Sequence, residues 1–320
     1  MKQSIARMES YGFSLKFILP KGQRIIGCSK SLSLHIHSCK IPLVLKALDA
    51  GKIEQADSLT LVGSGFSSER EAKKHGLNLK QALLIVGTIL RMGINPGKEE
   101  LKGIVGQAIK LRAKEVGYNL LDDLHGLCVY DEKIPVSFAS PKSHIIAGPK
   151  SKLFIDKLIE IYDCNYQLSE KQTLALELYN LSHFEFSPRA RFLTLIIAVE
   201  VLSKRERLPN RELEHLEKLI NLAEEADSYV QLVKSLKNLK RESISRACNI
   251  LVENHLGNKS AKQFKRFYNI RSKMLHNGKV PKGVNLSIAI PPLDQLVSGL
   301  IVKDIEENRT IRKAGEISKE

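Results

Sequence analysis

Acidic residues are few for a chain of 320: thirty-five Asp and Glu stand against fifty Lys and Arg, a net charge of +15. That deficit favours a polyanionic partner, nucleic acid first, although basic surfaces also meet anionic membranes. Cysteine is scarce too. Cys28, Cys39, Cys128, Cys164 and Cys248 are odd in number, scattered, and nowhere paired as CxxC, which argues against a disulfide framework and for a reducing, cytoplasmic compartment. No apolar run approaches the roughly 20 residues that span a bilayer. The longest, LTLIIAVEVL at 193–202, is short and carries Glu200, so no membrane partner is expected. The opening MKQSIARMESYGF has no apolar core of a secretory signal. GSGFSSEREA at 63–72 lacks both the third glycine of a dinucleotide fingerprint and the Lys-Ser/Thr of a P-loop. Gly63-Ser64-Gly65 is therefore read as a plain strand-to-helix turn rather than a phosphate cradle, and no cofactor is expected.

What is present divides near the middle. The length suits two domains, each able to bury a core. Residues 1–150 read as a small mixed α/β domain and 151–315 as an all-α one, an α+β chain overall. Phe13–Leu19 and the alternating SLSLHIHSC at 31–39 have the period of strands, and Leu59–Val62 fits a short buried one. In the second run His35, His37 and Cys39 share a face, and Cys28 or His125 offers a fourth ligand for zinc. The spacing matches no closed zinc pattern, so a half-exposed strand is the favoured reading and no metal is assigned. Ser68 with Glu71 makes a capping box for an amphipathic helix running to about Met92. Residues 97–117 read as a basic helix or loop, LHGLCVYD at 124–131 as a strand, and Pro- and Lys-rich sequence at 134–151 separates the halves.

Helix then follows helix. Ser169 caps a segment to about 185, and Ser187-Pro188 opens the next, with proline at the first helical position. That helix, to Leu202, is apolar on nearly all sides and is expected at the centre of an up-and-down bundle. Further helices are expected at 208–227, 229–239, 243–256, 260–278 and 292–308.

One of these carries chemistry. In SAKQFKRFYNIRSKMLHNG (260–278) the apolar stripe of Phe264, Phe267, Tyr268, Met274 and Leu275 is interrupted by Arg271. A guanidinium on that stripe needs a partner. Glu200, in the apolar helix, has the complementary need. Either the two meet, or Glu200 lies at the bundle edge and pairs with Arg189, Lys204 or water. Five residues beyond Arg271 comes His276, a residue type suited to proton transfer near neutral pH. The R-x4-H spacing is weak by itself, since Arg70 and His75 repeat it. Residues five apart on a helix also differ by roughly 140° in direction, so Arg271 and His276 meet only if the helix ends at His276 or a second copy supplies the other half. Between 234 and 282 thirteen basic residues face only Glu242 and Glu253, so most of the net charge surrounds this segment.

ELYNLSHFEFSPRARFLTLIIAVEVLSK (177–204) with FKRFYNIRSKMLHNG (264–278) resembles the HEPN superfamily, in particular its ApeA-like branch, over about residues 165–310. The helix with its internal glutamate and the R-x4-6-H helix carry the resemblance. It implies a HEPN-like bundle and a homodimeric, metal-independent endoribonuclease, of the kind found among toxins and antiviral defence effectors. Arg271 and His276 would be catalytic and Glu200, Asn277 and Ser272 supporting, with Ser272 where the family often has another polar residue. Lys262, Lys265, Arg266, Lys273 and Lys279 would bind RNA. An antitoxin or regulatory partner would be a further, unidentified protein. Some HEPN domains are non-catalytic, so a nucleic-acid-binding or dimerisation module is the alternative.

Overall fold

In β1 (Tyr11–Ile18) every second side chain is large and apolar, and Phe13, Leu15 and Phe17 are fully buried. The computed structural model describes residues 10–36, 42–47, 51–97, 115, 119–120, 126–131, 136–137, 148–225 and 230–317. Around β1 are β2 (Ser31–Leu34), β3 (Leu43–Ala47), β4 (Ser58–Phe66), β5 (Asn119–Leu120), β6 (Gly126–Asp131) and β7 (Val136–Ser137). Five form an antiparallel sheet in the order β2-β3-β4-β1-β6, while β5 and β7 pair in parallel. In β2 the expected alternation holds: Leu34 is buried, Ser31 and Ser33 exposed. The strand stops at Leu34, short of the expected 39. His35 beyond it is exposed, and His37, Cys39 and His125 lie outside the described residues.

Gly63-Ser64-Gly65 is not a turn. It continues β4 as far as Phe66. Tyr11 faces Phe66 and Phe13 faces Gly63, so Ser64 and Gly65 together oppose Gly12, the two-against-one count of a β-bulge. Gly65 supplies the positive φ of 86° there, and a Cβ on Gly63 would lie 2.5 Å from the Phe13 ring. The glycines allow a bend and a close approach, which is the other common use of glycine in a strand.

Helix α1 (Glu69–Ile89) starts where expected. The Ser68 side chain accepts from the Glu71 N–H, while the Glu71 carboxylate accepts from the N–H and hydroxyl of Ser67 rather than closing on Ser68. From Leu79 to Thr88 the helix is buried on almost every side. It packs against β1, β4 and β6 and also touches α2 (Ser151–Cys164), α3 (Glu170–Ser182) and α8 (Leu286–Ile317). A single hydrophobic core therefore runs through both halves of the chain. The join is also polar. Asn180 on α3 donates to the Leu84 and Leu176 carbonyls and to Thr88 Oγ1, and accepts from the Ile94 N–H at 2.9 Å, while Ser298 on α8 donates to the Thr88 carbonyl.

The second R-x4-H pair belongs to α1 and serves packing. Arg70 is exposed, whereas the His75 ring hydrogen-bonds Tyr162 of α2 and lies 5.2 Å from the Phe66 ring. Burial holds His75 below its ordinary value; Glu71 pulls it back up and Lys74 adds to the lowering. The folded state thus favours neutral imidazole, and the unfolded chain binds the proton first as pH drops through about 6.5. Stability contributed by neutral His75 is present above that value and is lost as pH falls from there through the lowered folded value. The urea midpoint is expected to drop between about pH 7.5 and pH 5, and to drop less in His75→Gln. An identical drop in both proteins would exclude His75 as the source.

The centre of the helical half is α4 (Pro188–Leu202), which packs against α3, α7 (Ile244–Asn277) and α8. Ser187 caps it and Pro188 opens it, as expected. Phe192, Leu195, Ile196 and Val199 are fully buried, each worth about 1.5–3 kcal/mol of apolar burial. The burial is not all-round: Ile197 is 40% exposed, and Leu193 and Val201 are half-buried. Helices α5 (Asn210–Glu225) and α6 (Val230–Asn238) form a hairpin, closed at its base by backbone hydrogen bonds from Leu208 to Lys240 and from Glu242 to Glu206.

Two expected boundaries shift. Residues 243–256 and 260–278 are one run, α7, broken only at Gly257, whose φ of 80° and ψ of 169° kink it without ending it. Helix α8 begins at Leu286, not 292, and contains Pro291 and Pro292. Each proline removes one internal hydrogen bond. Burial of Leu286, Ile290 and Leu293, at three- and four-residue spacing, holds the extra turns in place. Among the described residues, Leu286–Arg309 is long and apolar enough to cross a membrane by length and composition, and half of its apolar window is buried in this chain's own core.

Candidate nucleic-acid site around Arg271

Beyond the Gly257 kink, α7 has two opposite faces. At 100° per residue, Ala261, Phe264, Phe267, Tyr268 and Met274 fall on one side with Arg271 at its middle, and all five apolar or aromatic residues are buried. Leu275, expected on the same stripe, is 53% exposed, although Met274 beside it is buried. Lys262, Lys265, Arg266, Asn269, Lys273 and His276 fall on the opposite side, and all are exposed.

Arg271 meets Glu200. The guanidinium Nη2 lies 3.0 Å from Glu200 Oε1 and 3.1 Å from Oε2, and its carbon sits 5.3 Å above the centre of the Tyr268 ring. The two charged side chains are 24% and 15% exposed, respectively. Of the two readings the sequence left open, the one in which the pair meet holds: Glu200, 15% exposed, pairs with Arg271 and not with Arg189 or Lys204. Burial pushes the Tyr268 hydroxyl well above the usual phenol range, and a hydrogen bond to Glu200 together with its charge pushes it further. Burial likewise pushes the Cys248 thiol up to about 11, opposed by a hydrogen bond with Ser203 and reinforced by the Glu200 charge. Tyr268 and Cys248 stay neutral, so the pocket holds one cation and one anion.

This pair invites a direct test. Glu200→Gln keeps the shape but leaves the guanidinium without its counter-charge, and is expected to cost about 2 kcal/mol, below the full penalty of a buried broken pair because Arg271 keeps some contact with water. Urea unfolding of Glu200→Gln, Arg271→Met and the double variant measures it. A double variant as unstable as the sum of the singles would mean that the two side chains do not interact.

His276 is placed otherwise. The helix runs on through Asn277, and Gly278 provides the left-handed cap at φ 65°. His276 is therefore still helical, roughly 140° around from Arg271, and shares the basic stripe rather than the buried pocket. The condition that the helix end at His276 is not met. Asn277 and Lys279 are exposed at the cap, and Ser272 is partly buried. Beside the stripe a cleft of about 370 Å³ is lined by Gln263, Arg266, Phe267, Asn285 and Ile288 among others. Among the described residues, no three His, Cys, Asp or Glu side chains are grouped to hold a metal ion.

A second polar group was not anticipated from the sequence: His183, Arg191 and Asp294, from α3's end, α4 and α8. The signal was there in Asp294, an acid set among Leu293, Leu296 and Val297, the same mismatch that drew attention to Glu200. Comparison with family models, with curated protein sequences and with solved structures gives no match to this chain.

Proposed function

We propose that this chain is a metal-independent endoribonuclease of HEPN type, acting as a homodimer in the cytoplasm, in the manner of a toxin or antiviral defence effector. The observation that carries the reading is the pairing of Arg271 with Glu200 on the inner face of a helix whose outer face is a basic stripe ending in exposed His276. Such a stripe attracts RNA in a salt-dependent way. Cleavage by attack of the ribose 2′-OH on the adjacent phosphorus needs a proton acceptor and donor, which His276 supplies, and a cation beside the non-bridging oxygens, which Arg271 supplies. Since the two point apart within one chain, the complete site combines Arg271 of one protomer with His276 of another.

The test is RNA incubated with the purified protein in EDTA. The expected products carry a 2′,3′-cyclic phosphate and a 5′-OH, and DNA, lacking the 2′-OH, is untouched. A dependence on divalent metal would overturn the mechanism. The separation of Arg271 and His276 favours one other reading, a non-catalytic RNA-binding module. It gives salt-sensitive RNA binding that His276→Ala leaves unchanged, and no products.

A further inference from the structure

Where the ends of α1 and α3 meet α4 and α8 lies a second cleft, of about 260 Å³, lined by Gln23, Arg91, His183, Arg191, Pro291 and Asp294 among others. Its volume lies just below the usual range for a drug-sized ligand, so it suits a smaller one. Its polar groups are fixed by one another. Gln23 Oε1 accepts from the Gly93 N–H at 2.8 Å, which turns the Gln23 amide nitrogen toward His183 Nδ1, 3.3 Å away. Arg191 Nη2 lies 3.3 Å from the same nitrogen. Both neighbours are donors, so Nδ1 is the acceptor and the ring proton sits on Nε2, 3.2 Å from Asp294 Oδ1. Asp294 Oδ1 is also 3.4 Å from Arg191 Nη2. The imidazole is 2% exposed and the Asp294 side chain 9%.

Two features of this cleft are unexplained by packing. Arg191 Nε is buried and has no hydrogen-bond partner. Arg91, exposed at the rim, occupies the left-handed position that ends α1, with φ 50°. Its N–H bonds the Thr88 carbonyl and the Met92 N–H the Gly87 carbonyl, the two bonds of a helix end at which glycine is the usual residue. A strained position has been given to a guanidinium. Two guanidiniums line the cleft, Arg91 and Arg191, against the single carboxylate of Asp294.

We propose that this cleft binds a small phosphate-bearing anion, gripped by Arg191 and Arg91, with the His183–Asp294 pair holding Arg191 in place. The bound group balances the excess of guanidinium over carboxylate, and planar guanidinium forks suit phosphate oxygens. The ligand is either free inorganic phosphate or the phosphate of a nucleotide. This proposal is independent of the ribonuclease reading, since no residue of the Arg271 site takes part.

Calorimetric titration of the full chain with inorganic phosphate and, separately, with a nucleoside 5′-monophosphate tests it, at constant ionic strength in chloride. Saturable binding at one site per chain is expected for at least one probe. Tighter binding of the nucleotide identifies a nucleotide site, and equal affinity identifies a site for the phosphate group alone. The informative variant is Arg91→Gly. It relieves the backbone strain, so its unfolding midpoint is expected to stay the same or rise, while affinity falls about tenfold or more with the loss of one charge-assisted contact. Arg191→Gln is expected to remove binding. Absence of saturable binding of either probe up to about 10 mM, or affinity unchanged in both variants, would overturn the proposal.

Discussion

RNA cleavage by His276→Ala is expected to fall about 10²–10⁴-fold, the usual contribution of a positioned general acid or base, while its unfolding midpoint stays at the wild-type value. The second half of that expectation follows from position. His276 is exposed in the last turn of α7, outside the core, and Asn277 and the Gly278 cap behind it end the helix without its help. Arg271→Ala should also lose cleavage, but it strands Glu200 in a partly buried setting and lowers stability as well. The pair of variants therefore separates chemistry from folding. They also test the need for two chains. Mixing Arg271→Ala with His276→Ala under conditions that exchange subunits is expected to restore part of the activity, because one of the two composite sites in each mixed dimer carries both wild-type residues. No restoration, with exchange verified, would place both functional groups on one chain or remove His276 from the reaction. Cleavage that survives His276→Ala would end the proposed mechanism outright.

Asp57→Ala is expected to cost about 3–5 kcal/mol, the penalty for leaving a buried charge without its partner. Its partner is Arg24, a guanidinium only 1% exposed. Nη2 of Arg24 pairs with the Asp57 carboxylate, and Nη1 donates to the Gln23 carbonyl at 2.6 Å. The figure belongs to the stranded arginine, not to the carboxylate, which is partly in water. Two residues on, Ile26 pairs with Lys150 at the start of α2, so the segment after β1 is linked to the helical half. Urea unfolding should show a lower midpoint with an unchanged slope if the transition remains cooperative. Arg24→Met combined with Asp57→Ala should recover much of the loss, since an apolar side chain of similar length leaves no buried charge. A loss below about 1 kcal/mol would mean that Arg24 finds water or another acceptor once Asp57 is gone.

The Arg271–Glu200 pairing was largely legible in the sequence. A charged residue on an apolar stripe poses a problem that a fold must solve, and two such residues of opposite sign, Glu200 and Arg271, suggest each other as the solution. Capping worked for the same reason: Ser68, Ser169 and Ser187 satisfy backbone donors of the residues just after them, and that chemistry is local. The failures were also physical. Gly63 and Gly65 read as a turn because glycine permits turns, bulges and close contacts alike, and the Phe13 ring across the sheet decides among them. Pro292 read as a helix start because the burial that sustains α8 through Pro291 and Pro292 comes from other elements. The R-x4-H spacing could not separate His75, which packs against Tyr162, from His276, which faces water.

By itself the sequence determined the α+β division, the caps, the concentration of charge along residues 234–282, and the need of Arg271 for an anionic partner. These follow from side-chain chemistry and from periodicity within a single element. Tertiary structure alone decided that α1 belongs to both halves, that Arg271 and His276 lie on opposite faces of α7 with the helix unbroken between them, and that His183, Arg191 and Asp294 meet in one cleft. The reason is the same in each case. How far a helix runs and which way it is rotated depend on what covers it, and the covering elements come from far along the chain.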